Sequence, residues 1–220
     1  MSIRTNLSKI KNELPSHVTL VAVSKTKPVE DLMQAYLLGQ RVFGENKIQE
    51  MVEKHEKMPK DIQWHMIGNL QRNKVKYMAS FVDLVHGVDS LKLLNEINKQ
   101  AEKHKRIINC LIQIKIAQED TKFGMSYEEA KNLISSEEVK KLKNILIVGL
   151  MGMASFTQDR TLIKKEFKTL KNNFDNLQKT ASNLIILSMG MSGDYTLAIK
   201  NGSTMIRLGS SIFGARNYSN

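Results

Sequence analysis

Short apolar segments alternate with longer amphipathic segments along most of the chain. The long segments have apolar residues three or four positions apart, which is typical of one face of a helix, whereas the short ones have strand length. After an opening helix, the pattern predicts eight strands, at residues 18–23, 41–43, 63–67, 81–86, 107–114, 145–149, 184–188 and 204–208. It predicts further helices at residues 29–38, 45–57, 70–79, 91–105, 127–134, 159–179 and 193–200.

Local signals mark several helix ends. Ser126 stands three residues before Glu129, as in a capping box, and Gly39 and Gly202 stand where helices should stop. Strands that alternate with helices imply a parallel sheet, and eight of them favour closure. We therefore predict the α/β class, as a single (β/α)8 TIM barrel with an extra N-terminal helix. An open doubly wound sheet is the alternative.

Length and composition favour one folded domain over residues 1–220. The chain has 41% hydrophobic and 25% charged residues, as ordinary globular proteins do, and no linker-like or repeated segment divides it. No apolar run is long enough for a membrane span or a signal peptide, so we expect a cytoplasmic protein. The single cysteine, Cys110, lies in the apolar segment INCLIQI and is expected to be buried rather than nucleophilic.

The formal net charge of +11 raises the alternative of a nucleic-acid-binding protein. The lysines, however, lie mostly in helix-like segments where they are interleaved with carboxylates, and aromatic residues make up only 6% of the chain. That pattern is typical of solvated helix faces rather than of a nucleic-acid groove. We expect no nucleic-acid partner.

Two turns combine glycine with serine directly after predicted strands. The first is MGMSGD at residues 189–194, and the second is GSS at residues 209–211. Glycine lets backbone N–H groups approach an anion, serine adds a hydroxyl donor, and phosphate sites after strands seven and eight recur in TIM barrels. The turns predict a phosphate site. The alternative is that the glycines only make tight turns and Ser192 only caps a helix.

The first strand ends in SKTKP, residues 24–28. Side chains alternate along a strand, so Val21, Val23 and Lys25 share a side, and Lys25 is expected above the barrel core at its mouth. Partial burial and a second positive charge, here Lys27, activate an amine toward a carbonyl. The alternative is that Lys25 extends into solvent or pairs with Glu45. With a phosphate site beside it, the amine indicates pyridoxal phosphate or a sugar-phosphate aldehyde as ligand.

Six blocks resemble a known family in order and spacing. They are AVSKTKP (22–28), FGENKIQE (43–50), WHMIGNLQRNK (64–74), GLM (149–151), LSMGMSGD (187–194) and GSTMIRLGSSIFGAR (202–216). Over nearly its whole length the chain resembles the pyridoxal phosphate homeostasis proteins, whose members look like the barrel domain of alanine racemase standing alone. By position, the resemblance implies that Lys25 forms a Schiff base with pyridoxal 5'-phosphate (PLP) and that Arg207 faces the pyridine nitrogen. The other implied cofactor contacts are Asn46, Met191, Ser192, Gly193, Gly209 and Ser210.

An arginine at the pyridine nitrogen argues against strong catalysis. A guanidinium donates a hydrogen bond but does not protonate the ring, so a carbanion would be poorly delocalised, which disfavours transamination and decarboxylation. Racemisation needs acid and base groups on both faces of the substrate, one of them from a second domain that we do not expect here. We therefore expect a PLP-binding protein of vitamin B6 homeostasis that stores or delivers the cofactor. Weak racemase activity is the alternative.

The expected partner is PLP, and apo forms of PLP-dependent enzymes are candidate recipients of it. We expect no association with a membrane. A monomer is expected, and a dimer is the alternative. Lys27 and Lys122 are candidate second amines for release of the cofactor, although either could be a surface charge.

Overall fold

The strands close into a parallel barrel. The computed structural model describes residues 2–119 and 123–215. The strands pair in chain order and the last pairs with the first, so the predicted (β/α)8 TIM barrel is confirmed and the open sheet is excluded. The strands are β1 (Thr19–Val23), β2 (Val42–Glu45), β3 (Gln63–Met66), β4 (Val82–Val88), β5 (Ile108–Gln113), β6 (Ile145–Met151), β7 (Ile186–Ser188) and β8 (Met205–Leu208).

Helices follow most strands on the outside of the barrel. The predicted N-terminal helix is present as α1, and its first turn is capped by the Ser2 hydroxyl, which accepts from the Thr5 N–H. The helices are α1 (Ile3–Glu13), α2 (Val29–Leu37), α3 (Ile48–Lys57), α4 (Leu91–Lys103), α5 (Tyr127–Ser135), α6 (Glu137–Lys140), α7 (Arg160–Gln178), α8 (Tyr195–Lys200) and α9 (Ser210–Phe213). None of the helices in the described ranges is both long and apolar enough to cross a membrane.

The predicted helix ends are confirmed. Ser126 and Glu129 form the capping box, in which each side chain bonds the other residue's backbone N–H. Gly39 has a φ of 79° and Gly202 a φ of 91°, in the left-handed region that glycine adopts without strain where a helix stops.

Several boundaries differ from the sequence prediction, and two of them concern the connections after β2 and β3. Glu45 was expected to open a helix but is the last residue of β2, because its carbonyl accepts from the Ile67 N–H in the sheet. Its burial there is compensated by Lys54 on α3. The helix expected at residues 70–79 is a shorter 3-10 helix, Arg72–Tyr77, with i to i+3 bonds such as Lys74 N–H to Gln71 O.

The core has two layers separated by the strands. The layer inside the barrel comprises Val21, Leu84, Leu111, Val148, Met151 and Met205. The larger outer layer lies between strands and helices, and Phe43, Trp64 and Phe167 are its largest fully buried side chains. Alternate residues of each strand therefore face the barrel interior, and polar residues on that side near the strand ends face the mouth.

Candidate functional site

Lys25 lies at the mouth of the barrel, two residues beyond the end of β1. It is half-buried, and Val21 on the same strand packs inside the barrel. The residue after it, Thr26, has a φ of 63°, which is uncommon for a residue with a side chain. The connection between β1 and α2 therefore has a locally unfavourable backbone conformation directly after Lys25.

Arg207 lies beside β1 at the same end. Its Cα pairs in register with that of Val21, and its side chain is on the same side of β8 as Met205, inside the barrel. The guanidinium donates through Nη1 to Ser188 Oγ at 2.6 Å and through Nη2 to the Gly152 carbonyl at 3.2 Å. Burial lowers the pKa of Arg207 to about 10, so the side chain stays cationic at neutral pH.

A chain of hydrogen bonds continues from Arg207 across the barrel. Ser188 Oγ lies 3.2 Å from His86 Nδ1, and His86 Nε2 lies 3.1 Å from His65 Nδ1, with all of these side chains buried. Burial lowers the pKa of His65 to about 3 and that of His86 well below its usual value, so both imidazoles are neutral near pH 7. Ser188 therefore connects the two histidines to the arginine, a link that no local pattern in the sequence predicts.

The hydrogen bonds from Arg207 to His65 all have the same donor-to-acceptor direction. A guanidinium can only donate hydrogen bonds, so Ser188 Oγ accepts from Arg207. The Ser188 hydroxyl can then donate its own proton to His86 Nδ1. His86 then carries its proton on Nε2 and donates it to His65 Nδ1, so His65 also carries its proton on Nε2.

We expect nitrogen NMR of the uniformly labelled chain to show His65 and His86 as neutral Nε2–H tautomers from about pH 5 to pH 8. Free imidazole in the same sample would report protonation over that range. An imidazolium signal from either buried ring at pH 6, or an Nδ1–H tautomer of His86, would contradict the direction assigned to the chain.

The two glycine-serine turns meet at the ends of β7 and β8. Ser192 Oγ accepts from the Gly209 N–H and from the Ser211 N–H, each at 3.3 Å. Met191 donates its N–H to Asp194 Oδ1 at 2.6 Å, and burial raises the pKa of that carboxyl. Ser192 therefore lies where two backbone N–H groups converge, an arrangement that could also hold a phosphate oxygen.

The remaining predicted residues lie around these turns. A Cβ on Gly209 would lie 3.3 Å from the Val23 carbonyl, so the second turn packs directly against the end of β1. Gly193 is exposed with open space around its Cα, and Ser210 is exposed as the first residue of α9. The sequence analysis singled out Ser210, whereas the N–H that reaches Ser192 belongs to its neighbour, Ser211.

Asn46 lies at the junction of β2 and α3, on the opposite side of β1 from the two turns. It is half-buried, and its backbone closely approaches Gly68, where a Cβ would lie 2.6 Å from the Asn46 carbonyl oxygen. This close approach joins the connections after β2 and β3.

Three further predictions concern single side chains. Lys27 Nζ donates to the carbonyl oxygens of Phe213 and Ala215, both at 3.0 Å, so it joins the start of α2 to the end of α9. Lys122 falls outside the described residues. Cys110 is fully buried as expected, and burial raises the pKa of its thiol, which makes a nucleophilic role unfavourable.

Glu45 forms a buried ion pair beneath the Lys25 segment. Its Oε1 accepts from Lys54 Nζ at 2.7 Å and from Ser24 Oγ at 2.6 Å. Burial raises the pKa of Glu45 to about 6, and this effect outweighs the charge of Lys54 and the two hydrogen bonds, which lower the pKa. The ionised form is therefore less favoured in the folded chain than in the unfolded chain.

This pKa predicts how stability depends on pH. Because the folded pKa is raised, the contribution of Glu45 is fully present below its unfolded pKa and is lost as pH rises through about 6. Relative to Glu45→Gln, which does not titrate, the free energy of unfolding of the wild type should fall by about 2 kcal/mol between pH 4 and pH 7. Urea unfolding of both chains at the two pH values measures this. If the free energy of unfolding of the wild type minus that of Glu45→Gln rises with pH, the prediction is wrong.

The comparisons with known proteins extend over the whole chain. The family model for the N-terminal domain of alanine racemase matches residues 1–217. A pyridoxal phosphate homeostasis protein from Pasteurella multocida is 39% identical over an alignment of 234 positions, which covers all of both chains. One from Schizosaccharomyces pombe is 41% identical over 203 residues, which cover 91% of this chain and 85% of the relative.

Solved structures agree with these sequence relatives. PipY of Synechococcus elongatus PCC7942, solved with PLP bound, has a TM-score of 0.88 and 32% identity, and covers 97% of this chain and 100% of its own. Alanine racemase of Clostridium difficile 630 has a TM-score of 0.82 but 18% identity, and the match covers 60% of it, so it shows the fold alone. The chain belongs to the alanine racemase N-terminal-domain family and, within it, to the pyridoxal phosphate homeostasis proteins.

Proposed function

We propose that this chain binds PLP at the mouth of the barrel and acts in PLP homeostasis, holding the cofactor reversibly on Lys25 for storage or delivery. The aldehyde of PLP supplies the chemistry, because it condenses with a primary amine to a Schiff base with loss of one water. The observation that carries the proposal is that β1 and β8 are neighbours, so Lys25, Arg207 and the turn at Gly209 lie at one end of the barrel.

The residues fit a phosphorylated pyridine. Ser192, with the N–H groups of Gly209 and Ser211, offers several donors to a phosphate, and Met191 and Gly193 complete the first turn. Arg207 is buried and cationic, and it is held by its bond to Ser188. Because a guanidinium keeps its proton, Arg207 can donate a hydrogen bond to a ring nitrogen without protonating it. Asn46 and Ser210 are proposed to line the edges of the same pocket.

Strong catalysis is not expected from this arrangement. Arg207 keeps its proton, and the two histidines nearest to it along the hydrogen-bond chain are neutral and bonded to one another. Neither is available as a general acid near pH 7. A weak racemase remains the second candidate, because alanine racemase has the same barrel fold.

A transfer assay tests the proposal. The chain is loaded with PLP, separated from free PLP, and mixed with an apo aminotransferase whose activity requires PLP. We expect activity to return in proportion to the loaded chain, and Lys25→Ala taken through the same loading to restore much less. Activity that stays at its baseline would contradict delivery.

The second candidate is tested on the same samples. Formation of D-alanine from L-alanine by the loaded wild type should not exceed that of the Lys25→Ala chain. Lys27 is a proposed second amine for release, which requires it to leave the Phe213 and Ala215 carbonyls, and the transfer rate of Lys27→Ala reports on that role.

A further inference from the structure

The segment that carries Lys25 is held by a buried charge cluster on its outer side. Lys54, on α3, has a side chain only 6% exposed, and its ammonium donates to the Ser24 carbonyl at 2.7 Å. It also donates to Glu45 Oε1 at 2.7 Å and to Glu50 Oε1 at 2.6 Å. An ammonium has three protons, so these three bonds use its whole donor capacity.

The two carboxylates of the cluster contact the same segment. Glu45 Oε1 accepts from Ser24 Oγ at 2.6 Å, and Glu50 Oε1 accepts from the Thr26 N–H at 2.5 Å. The residues on both sides of Lys25 are therefore held by groups that bond to Lys54. Thr26, whose φ is 63°, gains the backbone bond that offsets part of the cost of that conformation.

A buried charge cluster of this kind contributes little net stability to the folded chain. Two carboxylates share one ammonium, Glu45 is fully buried, and the loss of hydration on burial offsets most of the attraction between such charges. What the cluster does provide is directional, charge-assisted bonds at the backbone atoms that flank Lys25. Reaction of an amine with a bound aldehyde is sensitive to such positioning.

We propose that Lys54 is a positioning residue, which acts with Glu45 and Glu50 to fix the backbone on both sides of Lys25 so that its amine is presented to the cofactor aldehyde. This inference rests on the proposed function for its chemical consequence. The structural part does not depend on that function: the Glu50 carboxylate bonds the Thr26 N–H and slows its hydrogen exchange, and Lys54 holds that carboxylate in place.

Two variants test it. Lys54→Met removes the ammonium at similar length, but it leaves two carboxylates without their cation and could unfold the chain. The double variant Lys54→Met/Glu45→Gln also removes the fully buried carboxylate charge and keeps the test informative. Lys57→Met is the matched control, because Lys57 is an exposed residue on the same helix.

Two measurements are made on each folded variant. The first is the rate at which borohydride fixes PLP onto Lys25, expected to fall by about tenfold in the double variant and to be unchanged in Lys57→Met. The second, made without PLP, is hydrogen exchange of the Thr26 amide, expected to speed up by about tenfold or more in every folded chain that lacks Lys54 and to be unchanged in Lys57→Met. The midpoint of inorganic phosphate binding, measured directly and without PLP, should be the same in all chains.

The outcomes separate this inference from the proposed function. If borohydride fixes no PLP onto Lys25 of the wild type, the proposed function fails. If the wild type is labelled and the folded double variant is labelled within about twofold of its rate, with equal protection of Thr26, the positioning role is wrong. A slower rate with a shifted phosphate midpoint would also overturn it, because the whole pocket would then have changed.

Discussion

The Lys25→Ala variant is expected to bind PLP at least about tenfold more weakly than the wild type and to lack absorbance near 420 nm, a region typical of an imine conjugated with the pyridoxal ring. The physical reason is that alanine keeps the backbone of the mouth but removes the amine. The donors at Ser192, Gly209 and Ser211 remain, as does Arg207, so residual binding should depend on the phosphate and the ring nitrogen.

Titration of each chain with PLP, followed by absorbance, measures both quantities. Lys47→Ala is the control, because Lys47 is an exposed lysine at the start of α3, and it should keep the affinity and the absorbance. A Lys25→Ala chain that still shows the band would place the Schiff base on another lysine and contradict the role given to Lys25.

The second large effect concerns folding. Gly149 in β6 pairs in register with Ile186 in β7, and a Cβ at Gly149 would lie 1.8 Å from the Ile186 carbonyl oxygen. Because that atom is backbone, relief requires the two strands to separate. We expect Gly149→Ala to lower the free energy of unfolding by at least about 4 kcal/mol, through strain and loss of strand pairing.

The effect should extend to the candidate site. β7 is only three residues long, and it carries Ser188, the bonding partner of Arg207, so displacement of β7 disturbs the arginine as well as the sheet. Urea unfolding measures the change, with Gly193→Ala as control, because nothing lies within 4 Å of a Cβ there and the change should stay within about 0.5 kcal/mol. A Gly149→Ala chain as stable as the control would contradict the close strand contact.

Much of the fold could be predicted because its signals are local. The alternation of strands and helices, the capping box at Ser126 and the left-handed glycines at 39 and 202 each depend on a few consecutive residues, and the structure agrees with all of them. The end of β2 could not be predicted in this way. A carboxylate such as Glu45 is ordinarily a surface residue, and its burial depends on Lys54 nine positions later.

The same distinction between local patterns and long-range contacts applies to the candidate site. The placement of Lys25 and of the two glycine-serine turns could be predicted because each follows a predicted strand and has its own residue pattern. Arg207 lies within β8, and its role was implied only by the family resemblance. The bonds that connect Arg207 through Ser188 to His86 and His65 join four different strands, so they exist only once the barrel closes. Ser211 belongs to the predicted Gly-Ser-Ser turn but was not named as an individual contact, because only the structure distinguishes which N–H of that turn reaches Ser192.

Lys25 is proposed to hold the cofactor through a Schiff base. The most direct test is the absorbance spectrum of the purified wild type with PLP, before and after borohydride, followed by peptide mapping of the reduced adduct. We expect a band near 420 nm that borohydride removes, with the adduct on the peptide that contains Lys25. A chain that takes up no PLP, or an adduct that maps to a different lysine, would contradict it.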